Sequence, residues 1–390
     1  MSHRHRPADG ILWRPTALLV AALIGVRVLI AGLTIGAALI HPVSDVDVWR
    51  AERIVTSPAR PYRDFPVEYM PMETAMLEAI AGDGPAATQV RLAILALVAD
   101  LLAFAAIWWG WGLRPATVYL VLGLPLLSLL YLRFDFVVVA LAAWAMAWEH
   151  RRAETASGVG FAFAILSKLW PVVLLPVLWL HRRWRSLAVG AAIALVAGAA
   201  WYVVGGPKAP LQVLSFRGAV GWSVESTVGD LVWIVTRRQI GPQAGAIRIG
   251  SAPGWARGLL LLALLGTEFA IWRRAARDGR DIAGGTSLVA VSALLVLSPL
   301  FSIQYATWLL PWCAVAFEGD ERERRAATLA TVAVALCGLL TISYLLHSPL
   351  SNVAEKWGLL ARNLVMIGVL AVWFWPAPGR RAAHEPAAAA

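Results

Sequence analysis

Carboxylates and aromatic hydroxyls gather directly after the first long apolar run of the sequence. The side chains of this segment that could take part in chemistry are Asp45, Asp47, Tyr62, Glu68 and Tyr69. Asp45 follows the apolar run 15–40 by only a few residues. If that apolar run spans a membrane, the carboxylate lies at the boundary between membrane and water. There it can act as a general base on a lipid-linked substrate. It can equally cap a helix that begins after Ser44, so both interpretations of Asp45 remain open.

Lys168 is a lone charge in an apolar segment that Pro171 interrupts. An ammonium group in such surroundings needs an anion, and a phosphate suits a compact positive charge. Arg133 and Asp135 occupy a short turn between two apolar runs. They form either part of a site or simply a solvated turn, and their spacing does not distinguish the two.

Arg217 and Glu225 lie among small and aromatic residues in a second polar segment. That mixture suits sugar recognition, and it is also typical of an amphipathic interfacial segment. Gln304 and Tyr305 begin a further apolar run and could reach the same cavity. Arg27 and Asp100 each lie within an apolar run, where a charge is costly, and we interpret them mainly as a structural pair.

The elements that carry these residues are apolar over most of their length. Of the 390 residues, 59% are hydrophobic and 15% are charged, which excludes a soluble globular protein of this size. A bilayer core about 30 Å thick needs roughly 20 helical residues, and apolar runs recur from residue 15 to residue 375. The sequence therefore predicts an all-α polytopic membrane protein with about 11–13 transmembrane or re-entrant helices.

The formal net charge of +10 is distributed in short basic clusters between the apolar runs, so nucleic acid is not expected as a partner. The region 157–180 has such clusters on both flanks, which predicts a re-entrant pair of half-helices broken around Lys168. With that element, the clusters fall on one side and both termini are predicted to be cytoplasmic. Cys313 and Cys337 lie in apolar runs, and no spacing of His and carboxylates predicts a metal site.

One transmembrane domain is expected over residues 1–375, followed by a disordered cytoplasmic tail at 376–390. Two long loops, at 41–90 and 205–254, fall on the external side. Function is expected on that side, because it receives the long polar loops.

The order of the motifs along the chain is similar to that of a known family. The motifs are Ser44-Asp45-x-x-x-Trp49, Pro61-Tyr62-x-x-Phe65-x-x-Glu68-Tyr69-x-Pro71, Arg133-x-Asp135, Ser167-Lys168-Leu169-Trp170-Pro171, Glu225-Ser226, and Ser298-Pro299 with Gln304-Tyr305. Over about residues 15 to 375 the chain resembles glycosyltransferase family 87, bacterial GT-C mannosyltransferases formerly grouped as a domain of unknown function. The resemblance implies a GT-C fold, a polyprenyl-phosphate-sugar donor, usually mannose, and inverting transfer to a glycolipid or polysaccharide hydroxyl at the external face. It implies neither a nucleotide sugar nor an obligatory metal, and no cofactor is expected.

Residue by residue, the resemblance places the first-loop aspartate of the family on Asp45, with Asp47 as the neighbour that could be confused with it. The residues expected to bind substrate are Asp47, Tyr62, Glu68, Tyr69, Arg133, Asp135, Lys168, Arg217, Glu225, Gln304 and Tyr305. The chain departs from the family pattern at Trp49, where many members have Tyr. It departs again at Gln304-Tyr305, where some mannosyltransferases have paired histidines.

An enzyme of this kind is expected in the bacterial plasma membrane. Asp45 would take the acceptor proton, while Lys168, helped by Arg133 or Arg217, would stabilise the leaving phosphate. The alternative class is a transporter or flippase of lipid-linked sugars, which would also contain intramembrane charges and broken helices. The lack of a visible internal repeat and the long polar loops on one face argue against that class.

Overall fold

Apolar helices make up most of the chain in the computed structural model, which describes residues 15–40, 54, 59–214, 220–236, 239–243, 246–278, 282–346 and 351–375. The α-helices and strands are, in chain order, α1 (Ala17–Ile40), α2 (Pro71–Ile80), α3 (Pro85–Trp111), α4 (Leu113–Leu122), α5 (Leu127–Leu130), α6 (Asp135–His150), α7 (Glu154–Ser167), α8 (Pro176–Leu180), α9 (Trp184–Gly205), α10 (Ala209–Leu214), β1 (Trp222–Ser223), α11 (Thr227–Thr236), β2 (Gly241–Gln243), β3 (Ala246–Ile249), α12 (Gly254–Asp278), α13 (Ser287–Leu297), α14 (Leu310–Ala316), α15 (Glu321–Leu346) and α16 (Ser351–Phe374). Within the described residues, six helices contain segments long and apolar enough to cross a membrane, namely α1, α3, α9, α12, α15 and α16. The predicted multi-pass helical architecture is confirmed.

Two buried helices inside the bundle are shorter than their neighbours. α6 has 16 residues and α7 has 14, whereas α3 has 27. α3 and α6 approach closely at Gly110, where an added Cβ would lie 3.2 Å from the Ala147 side chain. From that level toward their N-termini, α3 has about 13 more residues than α6, which corresponds to about 20 Å at 1.5 Å per residue. The start of α6, at Asp135, is therefore recessed into the bundle.

The region that follows α6 forms a broken hairpin. α7 ends where the backbone of Lys168 becomes extended, and the chain returns through a short 3-10 turn that contains Pro171 and then through α8. Glu149, just before the hairpin, lies 2.7 Å from Nδ1 of His181 and 3.2 Å from Nε of Arg183, just after it. Both feet of the hairpin are thus at the same end of the bundle, and the predicted break around Lys168 is confirmed.

Basic clusters from distant parts of the sequence meet at that same end, where Arg151 donates to the carbonyl of Trp109 near the end of α3 and Arg322 donates to that of Trp375 just after α16. Arg114 forms an ion pair of 3.3 Å with Glu318, and Arg274 donates a 3.2 Å hydrogen bond to the carbonyl of Phe374. We call the end that contains these contacts and the feet of the hairpin the basic end, and the opposite end, where α2 lies, the loop end. The grouping of the basic clusters agrees with the predicted topology, and the cytoplasmic assignment of the termini stays a prediction.

The two long loops contact each other at the loop end. The amide of Gln212, in α10, donates a 2.7 Å hydrogen bond to the carbonyl of Tyr62 and accepts one of 3.0 Å from the backbone N–H of Val67. The second loop also contains an antiparallel sheet of order β1-β3-β2, in which Trp222 pairs with Ile249. This sheet was not predicted, because strands of two to four residues carry too little periodic pattern to be recognised.

The predicted pair of Arg27 and Asp100 is confirmed in the core. Nε of Arg27 lies 2.8 Å from Oδ2 of Asp100, and both side chains are fully buried. The carboxylate also accepts hydrogen bonds of 2.6 Å from the Tyr119 hydroxyl and 3.1 Å from the Tyr131 hydroxyl. These contacts join α1, α3, α4 and the turn before α6, as expected for a structural cluster.

Candidate active site

Lys168 lies at the apex of the hairpin, where its ammonium group meets the carboxylate that begins α6. Nζ of Lys168 is 2.9 Å from Oδ1 of Asp135, and the same oxygen accepts a 2.7 Å hydrogen bond from Nε1 of Trp308. Asp135 and Trp308 are buried, while the Lys168 side chain keeps 20% of its surface exposed. The expectation of a lone charge at Lys168 was wrong, because the fold brings Asp135 to it across 33 positions of sequence.

Three aromatic rings form a wall beside this ammonium group. Trp170 and Trp308 are stacked with ring centroids 5.1 Å apart, and Tyr305 stacks on Trp308 at 4.2 Å. Nζ of Lys168 lies 5.2 Å from the Tyr305 centroid and 5.7 Å from the Trp308 centroid, within the range of cation–π attraction. The sequence analysis singled out Tyr305 and missed Trp308, which is one of 20 tryptophans and is explained equally well by an interfacial aromatic belt.

Acidic side chains of the first loop reach the same cluster. Glu73, in α2, is buried and interacts electrostatically with Lys168 and Tyr305, and Glu68 interacts in this way with Tyr305. The sequence analysis predicted Glu68 and missed Glu73, because an acidic residue in the first turn of a helix is already explained by the helix dipole. Negative charge from more than one carboxylate therefore acts on Lys168.

Two further predicted residues lie next to this cluster in the chain. Arg133 is half-buried in the turn that precedes α6, two positions before Asp135. Gln304 is half-buried beside Tyr305 in the 3-10 segment Ile303–Leu309. Their proposed substrate contacts remain predictions.

Tyr62 and Tyr69 hold the first loop together. The Tyr62 hydroxyl donates a 2.7 Å hydrogen bond to the carbonyl of Tyr69 and lies 2.6 Å from the Thr74 hydroxyl. Its ring packs edge-on against Trp201 with centroids 5.4 Å apart, and its φ of 68° is uncommon for a residue other than glycine. Burial raises the pKa of the Tyr62 phenol. The side-chain contacts of Tyr62 are thus with the loop and α9, and its predicted role in substrate binding stays untested.

Glu225 links the second loop to the segment that carries Tyr305. Its Oε2 atom accepts a 2.9 Å hydrogen bond from the backbone N–H of Ile303. Arg362, in α16, is fully buried, donates to the backbone carbonyl of Glu225, and lies 3.8 Å from the ring centroid of Phe301. Both contacts fix the chain just before Tyr305. The sequence analysis missed Arg362, although a charge within a predicted span was a usable signal.

The buried carboxylate of Asp230 lies beside the contact between Glu225 and α16. Oδ2 of Asp230, in α11, accepts a 3.1 Å hydrogen bond from Asn363, whose own Oδ1 accepts one of 2.9 Å from Arg362. Burial raises the pKa of Asp230 to about 6, and the Asn363 hydrogen bond opposes that shift. Ser226 caps the same helix, since its hydroxyl accepts a 3.1 Å hydrogen bond from the N–H of Gly229. The second loop is therefore fastened to α16 by polar contacts.

The predicted base and two other predicted residues, Asp45, Asp47 and Arg217, lie outside the described residues. Within the described ranges, no group of three or more His, Cys, Asp and Glu side chains is arranged to hold a metal ion. The chemistry of the described cluster rests on Lys168. An ammonium group has three N–H donors, of which Asp135 engages one, so an incoming anion could be bound against the aromatic wall.

One comparison with known proteins, the match of a family model, identifies the family of this chain. No curated protein sequence matches the chain. Among solved structures it is similar to the crystal structure of ArnT from Cupriavidus metallidurans bound to undecaprenyl phosphate, with 15% sequence identity, a TM-score of 0.43, and coverage of 92% of this chain and 77% of that one. The family model for glycosyltransferase family 87 matches residues 65–299, which include Asp135, Lys168 and Glu225. Because this match spans more than half of the sequence, the chain belongs to glycosyltransferase family 87, the GT-C family that its motifs resemble.

Proposed function

We propose that this membrane glycosyltransferase moves a sugar from a polyprenyl-phosphate donor to a hydroxyl of a lipid-linked or polysaccharide glycan. The family resemblance favours mannose as the sugar and the outer face of the bacterial plasma membrane as the site of transfer. The observation that carries the donor class is the position of Lys168, a partly exposed ammonium recessed among apolar helices. A phosphate attached to a hydrophobic tail suits that position better than a water-soluble nucleotide sugar.

The transfer is an inverting displacement at the anomeric carbon. The acceptor hydroxyl gives its proton to the carboxylate of Asp45 and its oxygen forms the new bond to the anomeric carbon. The bond between that carbon and the phosphate oxygen breaks on the opposite face, and the electron pair leaves with the polyprenyl phosphate. One carboxylate suffices, in contrast to the paired carboxylates of glycoside hydrolysis.

Lys168 supports this step electrostatically. The phosphate gains negative charge as the glycosidic bond breaks, and a fixed cation stabilises the charge that develops in the transition state. Asp135 holds the ammonium in place through one of its three N–H donors. The remaining donors are then available to the phosphate oxygens. Tyr305, the half-buried member of the aromatic wall, offers a ring surface for the sugar or the first isoprene units.

The experiment is a transfer assay with purified, detergent-solubilised protein, labelled polyprenyl-phosphate-mannose and an envelope-lipid extract. Wild type is expected to produce a labelled glycolipid. Asp45→Asn should bind donor normally but lose transfer by about 10²–10⁴-fold, the usual contribution of a general base. Lys168→Met should lose about 10²–10³-fold, which is typical of removing one electrostatic stabiliser.

Asp64→Asn is the matched control, because it removes an exposed carboxylate from the same loop that is not among the predicted site residues; its transfer should stay near that of wild type. Turnover retained in Asp45→Asn would move the base to Asp47 or Glu225. A wild-type protein that transfers no sugar but translocates the donor lipid across vesicles would support the flippase alternative instead.

A further inference from the structure

A cavity of about 420 Å³ opens at the basic end, far from Lys168 along the bundle. It is lined by the last turns of α12 and the end of α16, and its lining residues are Phe269, Ala270, Arg273, Arg274, Arg277, Asp278 and Phe374. None of these residues takes part in the proposed transfer reaction. The cavity is therefore a separate feature that the proposed function leaves without a role.

The cavity is lined by more basic than acidic side chains. Arg274 is engaged, since its Nη1 atom donates to the carbonyl of Phe374 at 3.2 Å and its Nε atom lies 3.7 Å from Asp278. Arg273 and Arg277 are exposed. Neither forms an ion pair or hydrogen bond with any part of the chain that the structure describes. Two arginines at the cavity are thus available to an anion from outside the protein.

The outer face of α12 changes from apolar to basic as it approaches the cavity. Phe269, Arg273 and Arg277 follow one another at intervals of four residues, which places them on one face of the helix. Farther from the basic end, Leu262 and Leu265 are 66% and 57% exposed, and Phe269 is 67% exposed. A ligand lying along this face of α12 would contact apolar side chains over most of its length and two guanidinium groups at the basic end.

An apolar surface that ends in two arginines matches a membrane phospholipid, whose acyl chains lie in the bilayer and whose headgroup lies at the membrane surface. Exposed apolar side chains of a membrane-spanning helix face acyl chains, and basic pockets between helices at the membrane surface bind anionic headgroups. A guanidinium group recognises phosphate with paired N–H donors. A zwitterionic lipid would also bring its own cation to the two arginines, whereas an acidic lipid would not.

We propose that this cavity binds the headgroup phosphate of an acidic glycerophospholipid, with one acyl chain lying along Leu262, Leu265 and Phe269. Arg273 and Arg277 hold the phosphate. Phe374, which is 38% exposed, closes the cavity from α16. Such a lipid would fasten α12 to the end of α16 at the basic end.

The test measures lipid binding to the purified full-length protein by native mass spectrometry, with phosphatidylglycerol and phosphatidylcholine of identical acyl chains. At low ionic strength, wild type should prefer phosphatidylglycerol by about thirtyfold, the combined attraction expected from two arginines near a membrane surface. Arg273→Gln/Arg277→Gln should remove that preference. Arg273→Lys/Arg277→Lys should keep most of it, because that variant retains both positive charges.

The matched control is Arg182→Gln/Arg185→Gln, which removes two exposed arginines from the same end without touching the cavity. It should leave the preference unchanged. Equal losses in the two Gln double variants would mean that only total charge matters, and would overturn the proposal. So would the absence of any preference in wild type, or displacement of the lipid by millimolar inorganic phosphate, which would indicate a simple anion site. Binding is measured without turnover, so either outcome leaves the transfer reaction to be judged separately.

Discussion

Replacing Asp100 by Leu would leave the buried guanidinium of Arg27 without its counter-charge. The Nε atom of Arg27 donates to Asp100, while its Nη1 and Nη2 atoms have no hydrogen-bond partner in the described part of the chain. The substitution also removes the acceptor of the Tyr119 and Tyr131 hydroxyls. Three buried donor groups would lose their partner at once.

The expected loss of stability is large. Removing one partner of a buried ion pair costs about 3–5 kcal/mol, and each orphaned hydroxyl adds about 1–3 kcal/mol. Asp100→Leu alone is therefore expected to lower the free energy of unfolding by at least about 5 kcal/mol. Adding Arg27→Met removes the uncompensated charge, so the double variant should recover at least about 2 kcal/mol and leave only the tyrosine hydroxyls unsatisfied.

Stability is measured by unfolding of each purified variant in bicelles with increasing dodecyl sulfate, and transfer activity is measured on the double variant. A structural cluster predicts a double variant that is more stable than Asp100→Leu and still active. The reasoning fails if Asp100→Leu stays within about 1 kcal/mol of wild type, well below the cost of breaking a buried pair. A double variant that is well folded but inactive would instead assign the pair a catalytic role.

Two further predictions concern close packing and pH. In Gly158→Ala the new Cβ would clash with the backbone carbonyl of Ser186, so α7 and α9 must separate and stability should fall by about 1–3 kcal/mol in thermal unfolding. Gly198→Ala on α9, where nothing lies within 4 Å of the added Cβ, is the control and should be nearly neutral. The pKa of Asp230 is raised from 3.8 to about 6 in the fold, so its contribution to stability is complete below about pH 4 and is lost as the pH rises through about 6. Unfolding temperatures recorded between pH 4 and pH 7 should show this decline in wild type and not in Asp230→Asn; an identical decline in both proteins would assign it to other groups.

The parts of the fold that were predicted depend on local features of the sequence. Spans follow from the hydropathy of consecutive residues, and the hairpin follows from basic clusters on both flanks of a Pro-interrupted segment. The pair of Arg27 and Asp100 was found because a charge in an apolar run has few acceptable surroundings other than an opposite charge.

The parts that were missed depend on contacts between distant positions. Asp135 and Trp308 are 173 positions apart, and Arg362 reaches the carbonyl of Glu225 across 137. Hydropathy describes which residues are apolar but not which helices are neighbours, so the partner of Lys168 could not be derived from it. Glu73 was missed for a different reason, because its position at a helix start already had a sufficient local explanation.

The anchoring of the broken hairpin has a geometric consequence. Its feet are tied together by Glu149, His181 and Arg183, so the length of its arms sets the height of Lys168 above the basic end. The 14 residues of α7 correspond to about 21 Å. One inserted residue in that arm would raise the ammonium by about 1.5 Å and rotate it by about 100° away from Asp135. The number of residues in the first arm of the hairpin therefore sets the depth of Lys168 in the bundle, and with it the depth at which the proposed donor phosphate would be bound.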